Sequence, residues 1–240
     1  MSREKETDFF VENLNFDRGF EWYRSLFAHD GRLRGEVSTN YSKYDIFEGV
    51  PERIKSAAPD VRLIYVVRDP VLRAISHYGF SQNLGYDMSD PGRLRHVIET
   101  SKYARQISTY LKVFDRRRLL VIDYTDLSTR PEETLAQIGD FLGIAGGWPP
   151  LPTERTNDSK ELSRMPTWFL HLRRNRVVND LRRHLPADVR RILRRTVQLG
   201  PARRIESADA ALVDRFRSEL AEDAKRFREM TGMPFTDWTV

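Results

Sequence analysis

The stretch that most constrains this chain is RLIYVVRDPVLRAISHY, residues 62–78, an apolar run that ends abruptly at Arg-Asp-Pro. Leu, Ile, Tyr and Val in succession without polar alternation fit a parallel strand covered on both faces. Asp69 suits a helix N-cap and Pro70 the first helical position, so a strand over 62–68 should pass directly into a helix over 70–84. Arg68 then stands at the carboxyl end of a strand, where open α/β sheets bind ligands. Arg73 and Ser76, three residues apart, share one face of the helix. Two readings are open. Arg68 and the Ser76 hydroxyl can hold one phosphate through charge-assisted bonds, or Arg68 is a surface cation paired with Asp69 while Ser76 faces solvent.

The pattern repeats more weakly elsewhere. LLVIDY (119–124) reads as a second buried strand, and GEVSTNY (35–41) as a short strand running into a loop. Helices are predicted over 50–58, with Pro51 in the first turn, and within 91–114, with Val97, Tyr103, Ile107, Tyr110 and Leu111 on the apolar side of one helix. Residues 131–143 begin with Pro and acids and end at Gly, and 207–231 stop before Gly232, both helix signatures. Phe16, Phe20, Tyr23 and Phe27 form a helical stripe after a loop over 8–15. Three strands alternating with helices imply an α/β layered domain with a parallel sheet.

At 240 residues the chain fits a single domain, 1–240, with enough length for a real core. It has no cysteine, so a disulfide framework, a thiolate zinc site and a thiol nucleophile are all excluded, and no metal site is expected. The charged start, MSREKETDFF, shows no signal peptide, and a cytoplasmic location is the default expectation. Charge is uneven. Residues 160–204 carry thirteen Lys or Arg against three acids, a balance of +10, which against a total of +5 leaves −5 elsewhere. A basic helical insertion is therefore predicted over 160–206. Its Arg pairs within 164–204 alternate with apolar residues, which suits a platform for an anionic polymer or membrane surface, or a packed insertion with solvated arginines.

Arg68-Asp69-Pro70-Val71-Leu72-Arg73-Ala74-Ile75-Ser76-His77-Tyr78 resembles the 3′-phosphate-binding motif of the sulfotransferases that use 3′-phosphoadenosine 5′-phosphosulfate (PAPS). The bacterial enzymes and the heparan sulfate branch are the nearest in pattern. GEVSTNY, VPERIKSAAPDVRLIYVVRDP, FLGI and TGMPFTDW are similar to further family segments. The resemblance implies a three-layer, P-loop-type α/β domain with a parallel sheet. It also implies sulfuryl transfer from PAPS, leaving the bisphosphate PAP, to a hydroxyl or amine of a glycan or small-molecule acceptor; nucleic acid is not an expected partner. It assigns the 3′-phosphate to Arg68 and Ser76, with Arg73 beside them, and the role of base to Glu36. Without it, Glu36 reads as an exposed strand-edge carboxylate. Ser159-Lys160 resembles a cofactor-covering loop, although Glu161 stands where Gly is usual. Lys160 and Arg155 are candidate cofactor contacts or solvated loop charges, and Tyr103 is a candidate contact or plain core. Phe80 stands where relatives often carry His, and His77 is given no catalytic role.

One family feature is not found in these residues. A Gly-rich loop with a lysine normally wraps the 5′-phosphosulfate, through backbone amides at a helix N-terminus. KETDFF (5–10) already resembles the segment that follows it. The domain is thus expected to be N-terminally truncated, by a misassigned start, by a natural loss that leaves a non-catalytic anion-binding relative, or by a loop supplied from another chain. As written it is expected to bind PAPS weakly and turn over poorly, and its open sheet edge to favour aggregation.

Overall fold

In the computed structural model, which describes residues 1–28, 30–144 and 208–240, two parallel strands carry the architecture. β1 (Leu63–Val67) pairs with β2 (Leu119–Asp123), Leu63 lying opposite Leu119 and Val67 opposite Asp123. Helices α1 (Gly19–Ser25), α2 (Val50–Ala57), α3 (Pro70–Asn83), α4 (Pro91–Glu99), α5 (Tyr103–Leu111), α6 (Tyr124–Thr129), α7 (Pro131–Leu142) and α8 (Ala210–Thr231) complete the described elements in chain order. The chain divides into two compact units. Met1–Pro70, Ile98–Gly146 and Glu219–Val240 make the first, Val71–Val97 and Gly147–Ser218 the second.

The third predicted strand is not formed. Residues 35–38 are extended but irregular, with two isolated backbone bonds: Ser2 N–H to Gly35 O (3.0 Å) and Glu6 N–H to Val37 O (3.1 Å). The would-be partner cannot continue a ladder, because Glu6 and Asp8 sit in the left-handed region at φ 55° and 46°. Among the described residues the sheet has two strands.

Nor is β1 covered on both faces. Leu63, Tyr65 and Val67 pack into a core with Tyr103, Ile107, Val121, Phe227 and Trp238, whereas Ile64 and Val66 on the opposite face are 38% and 47% exposed. The strand alternates because, among the described residues, one face alone has a partner layer. β2 differs: Leu119, Val121, Ile122 and Asp123 are all buried, and α6 and α7 lie against it.

A second core in the first unit gathers Phe9, Phe10, Val50, Ile54 and Phe114. Pro51 occupies the first turn of α2, and Val50 and Ile54, one turn apart, face this core. Each such side chain, moved from water into the core, contributes about 1.5–3 kcal/mol.

The helix predicted within 91–114 is in fact two. It breaks at Thr100 and Ser101, each 1% exposed, between α4 and α5. The orphan donors of α5's first turn are met from far along the chain: Asp223 on α8 accepts Ala104 N–H at 2.9 Å and Arg105 N–H at 3.0 Å. Burial pushes the Asp223 carboxyl above its usual range, a cost partly offset by those two bonds. The closing helices behave as predicted, α7 ending at Gly143 (φ 66°) and α8 at Gly232 (φ 70°), both positive φ values that suit glycine. In the second unit, Val71 and Ala74 of α3 are buried, and the His77 and His96 rings meet edge to face at 5.3 Å. The basic segment, with Arg155 and Lys160, lies outside the described residues.

Candidate active site

Glu36 is held by hydroxyls. Tyr23 OH and Tyr41 OH each donate to Oε1 at 2.9 Å, while Ser38 Oγ donates to Oε2 at 3.3 Å and Thr7 Oγ1 donates to the same oxygen. All five residues belong to the first unit. Thr7 is brought there by the left-handed residues on either side of it, which turn the chain sharply, and Asn15 Nδ2 anchors its carbonyl at 2.8 Å. Tyr23 comes from α1, where it stacks on Phe9 with ring centroids 4.5 Å apart. Tyr41 follows in a short 3₁₀ turn, Thr39–Ser42.

The phenols are locked as donors. Burial, and then the Glu36 charge, push Tyr23 and Tyr41 well above the ordinary tyrosine value, so neither gives up its proton at a working pH. Asp8 completes the pocket. Its Oδ2 accepts Asn40 Nδ2 at 3.0 Å, its N–H donates to Ser38 Oγ at 3.0 Å, and its buried Oδ1 has no hydrogen-bond partner among the described residues. Burial is the main cause that raises its carboxyl to about 6; the Asn40 bond opposes it, the Glu6 charge adds to it, Lys43 opposes and Glu36 adds.

The second constellation is the turn after β1. Arg68 is half-buried at the carboxyl end of the strand, and its N–H reaches Tyr103 OH at 3.5 Å. Asp69 is 5% exposed, and its Oδ2 accepts the Thr239 N–H at 2.5 Å, across 170 residues. At the end of the paired strand, Asp123 Oδ1 accepts Thr125 N–H at 2.8 Å and Oδ2 accepts Trp238 Nε1 at 3.1 Å. Tyr103 is 4% exposed, among Tyr65, Phe227 and Trp238, with its hydroxyl directed at Arg68.

Helix α5 joins the two constellations within the first unit. Its first residue, Tyr103, meets the Arg68 backbone, and Tyr110 OH donates to Tyr41 O at 2.8 Å. Seven residues apart, these tyrosines lie on one face, and the helical rise separates them by about 10 Å. Gln106 Oε1, between them, accepts Tyr44 N–H at 2.9 Å.

Arg73 and Ser76 lie on α3 in the second unit, so the motif's Arg68 and Ser76 fall in different units. Ser76 is exposed, and Arg73 is half-buried with a guanidinium nitrogen 3.4 Å from His77 Nδ1. Sequence reasoning missed Thr7, Asp8, Tyr23, Ser38 and the C-terminal contacts. Ser38 and Tyr41 stand in the quoted GEVSTNY segment, two and five residues after Glu36, and their hydroxyls were the available signal. Nothing local pointed to Thr239.

A family model described as "Sulfotransferase domain" matches residues 5–195. Heparan sulfate glucosamine 3-O-sulfotransferase 6 of Mus musculus is 30% identical over 143 residues, covering 54% of this chain and 41% of its own. Heparan sulfate glucosamine 3-O-sulfotransferase 3B1 of Homo sapiens is 32% identical over 147 residues, covering 54% and 36%. The match thus takes in less than half the length of these curated relatives. Among solved structures, a sulfotransferase from Alicyclobacillus acidocaldarius shares the fold with a TM-score of 0.54 at 24% identity, over 66% of this chain and 76% of that one.

Proposed function

This chain belongs to the sulfotransferase family, and on that premise we propose that it moves a sulfuryl group from PAPS to a hydroxyl or amine of a glycan. The observation that carries the reading is the α5 linkage. One helix spaces a caged carboxylate from a cation at a strand's carboxyl end, which is the arrangement that an acceptor and a nucleotide donor require. The names of the curated relatives support a glycan over a small-molecule acceptor.

The donor supplies the sulfuryl group and a stable leaving phosphate. The chain supplies position and charge, which dominate such transfers. Glu36 takes the acceptor proton as the acceptor oxygen or nitrogen bonds to sulfur and the sulfur–phosphate-oxygen bond breaks. The acceptor enters by displacing Ser38, the longest of the measured hydroxyl bonds to Glu36, while Tyr23 and Tyr41 keep Oε1 oriented. Arg68, half-buried at the end of β1, fits the 3′-phosphate as a charge-assisted donor.

The test is transfer of labelled sulfate from PAPS to heparan-type glycan by the full chain. Glu36→Gln should cut turnover about 10²- to 10⁴-fold, the usual contribution of a general base. Unchanged turnover in Glu36→Gln would remove Glu36 from the chemistry.

A further inference from the structure

The last residues of the chain do more than close the core. In the first unit, neighbouring residues Trp238 and Thr239 each donate to a carboxylate at the carboxyl end of a strand: Trp238 Nε1 to Asp123, the last residue of β2, and Thr239 N–H to Asp69 after β1. Both carboxylates are buried, at 8% and 5% exposure, so each bond is made away from water, where an unpaired partner is expensive. The tail that delivers these donors is itself tied down. Arg228 on α8 donates from Nε to Pro234 O at 3.0 Å, and from a terminal nitrogen to Phe235 O at 3.5 Å and to Val240 O. Its guanidinium lies 5.5 Å from the Trp238 ring centroid. Phe235 stacks on Trp238 at 4.1 Å and is held at φ 44°, a left-handed conformation that a bulky residue adopts only when its surroundings impose it. Trp238 also packs on Tyr103, whose hydroxyl meets the Arg68 N–H. Arg68 is therefore flanked by strap contacts on two sides, through Asp69 and through Tyr103.

We propose that residues 234–240 form a strap that positions Arg68 for the donor nucleotide, with the Thr239 N–H to Asp69 bond as its fastening. This rests on the reading of Arg68 as a 3′-phosphate ligand. The strap acts on the backbone on either side of Arg68, so loosening it lets the guanidinium wander from the phosphate and weakens nucleotide binding without touching the acceptor pocket. Thr239 and Trp238 are positioning residues, since neither contacts the donor.

The experiment uses the full chain and adenosine 3′,5′-bisphosphate as the probe. Bisphosphate-dependent thermal stabilisation is measured for wild type, Arg68→Ala, Thr239→Pro, which lacks the N–H, and Thr239→Ala, which retains it. Thr239→Pro should lower the unliganded melting temperature and, beyond that, bind the bisphosphate about tenfold more weakly, equivalent to about 1.4 kcal/mol, with Thr239→Ala responding as wild type. In turnover the KM for PAPS should rise while kcat at saturating PAPS holds, a split that general loosening of the fold would not produce. If Thr239→Pro does not fold, Trp238→Phe, which keeps the ring stack and loses the indole N–H, takes its place with the same expectation. Wild-type binding by these variants would overturn the strap while leaving the donor reading intact. A wild-type protein indifferent to the bisphosphate, or stabilised equally in Arg68→Ala, would overturn both.

Discussion

The carboxylate pocket and the Arg68 turn are built in opposite ways. The pocket is local: Thr7, Asp8, Tyr23, Glu36, Ser38 and Tyr41 all fall within 35 residues of one another, and the hydrogen bonds among them cross at most 34 positions. The turn is held from a distance, by Tyr103 across 35 residues, Trp238 across 115 and Thr239 across 170. A site assembled from neighbouring segments keeps its partners through modest disturbance. A site fastened by the chain's far end depends on the whole unit being closed.

That contrast can be broken most forcefully at Asp123. Asp123→Ala removes the acceptor for the buried Trp238 Nε1 and the N-cap that accepts the Thr125 N–H of α6 in one step. The expected cost is about 2–4 kcal/mol in denaturant unfolding, with the bisphosphate response lost as well. A variant as stable as wild type would mean the strap is not structurally coupled to β2.

A smaller effect of opposite sign is expected in the pocket. The Asp8 carboxyl is raised to about 6, mainly by burial, against an unfolded value of 3.8. Its protonated form is therefore favoured by folding, so this contribution to stability is complete below about pH 4 and lost as pH rises through 6. Asp8→Asn removes the burdened charge. It should raise the melting temperature at about pH 7.5 by about 2–4 °C, corresponding to about 1 kcal/mol once solvent screening at this half-buried group is allowed for, and the gain should vanish by about pH 4. An increase that persists unchanged in acid would assign the effect to something other than the Asp8 charge.

A pair of substitutions, one of them with the smallest effect of all, separates the two strands. Val66→Thr on the bare face of β1 should stay within about 0.5 kcal/mol of wild type, whereas Val121→Thr in β2, at 2% exposure, buries a hydroxyl in an apolar core and should cost about 1–3 kcal/mol. Equal costs would show that the β1 face is covered in solution.

Much of this molecule is legible before its structure. The two parallel strands, the turn into α3 at Pro70, and the ends of α7 and α8 at glycines all follow from hydrophobic runs, proline and positive-φ preferences, which act over a few residues. Glu36 and Arg68 are legible as residue types in a pattern. The errors have one origin. Composition predicts a strand at 35–41, but its partner segment bends at Glu6 and Asp8; periodicity predicts a single helix within 91–114, but Asp223 on α8 caps a new start at Ala104. The apolar run of β1 predicts a strand covered on both sides, but among the described residues one of its faces alone has a partner layer.

Local sequence is thus enough to say which segments become strands and helices, where they stop, and which side chains can do acid–base and phosphate chemistry, because propensity and capping are local energies. It could not say that four hydroxyls converge on Glu36, that Asp8 is burdened by burial, or that the last residues of the chain hold the turn beside Arg68. Those facts came from the packing of the whole unit. Burial and hydrogen-bond satisfaction depend on which distant groups arrive together, and no local pattern records that.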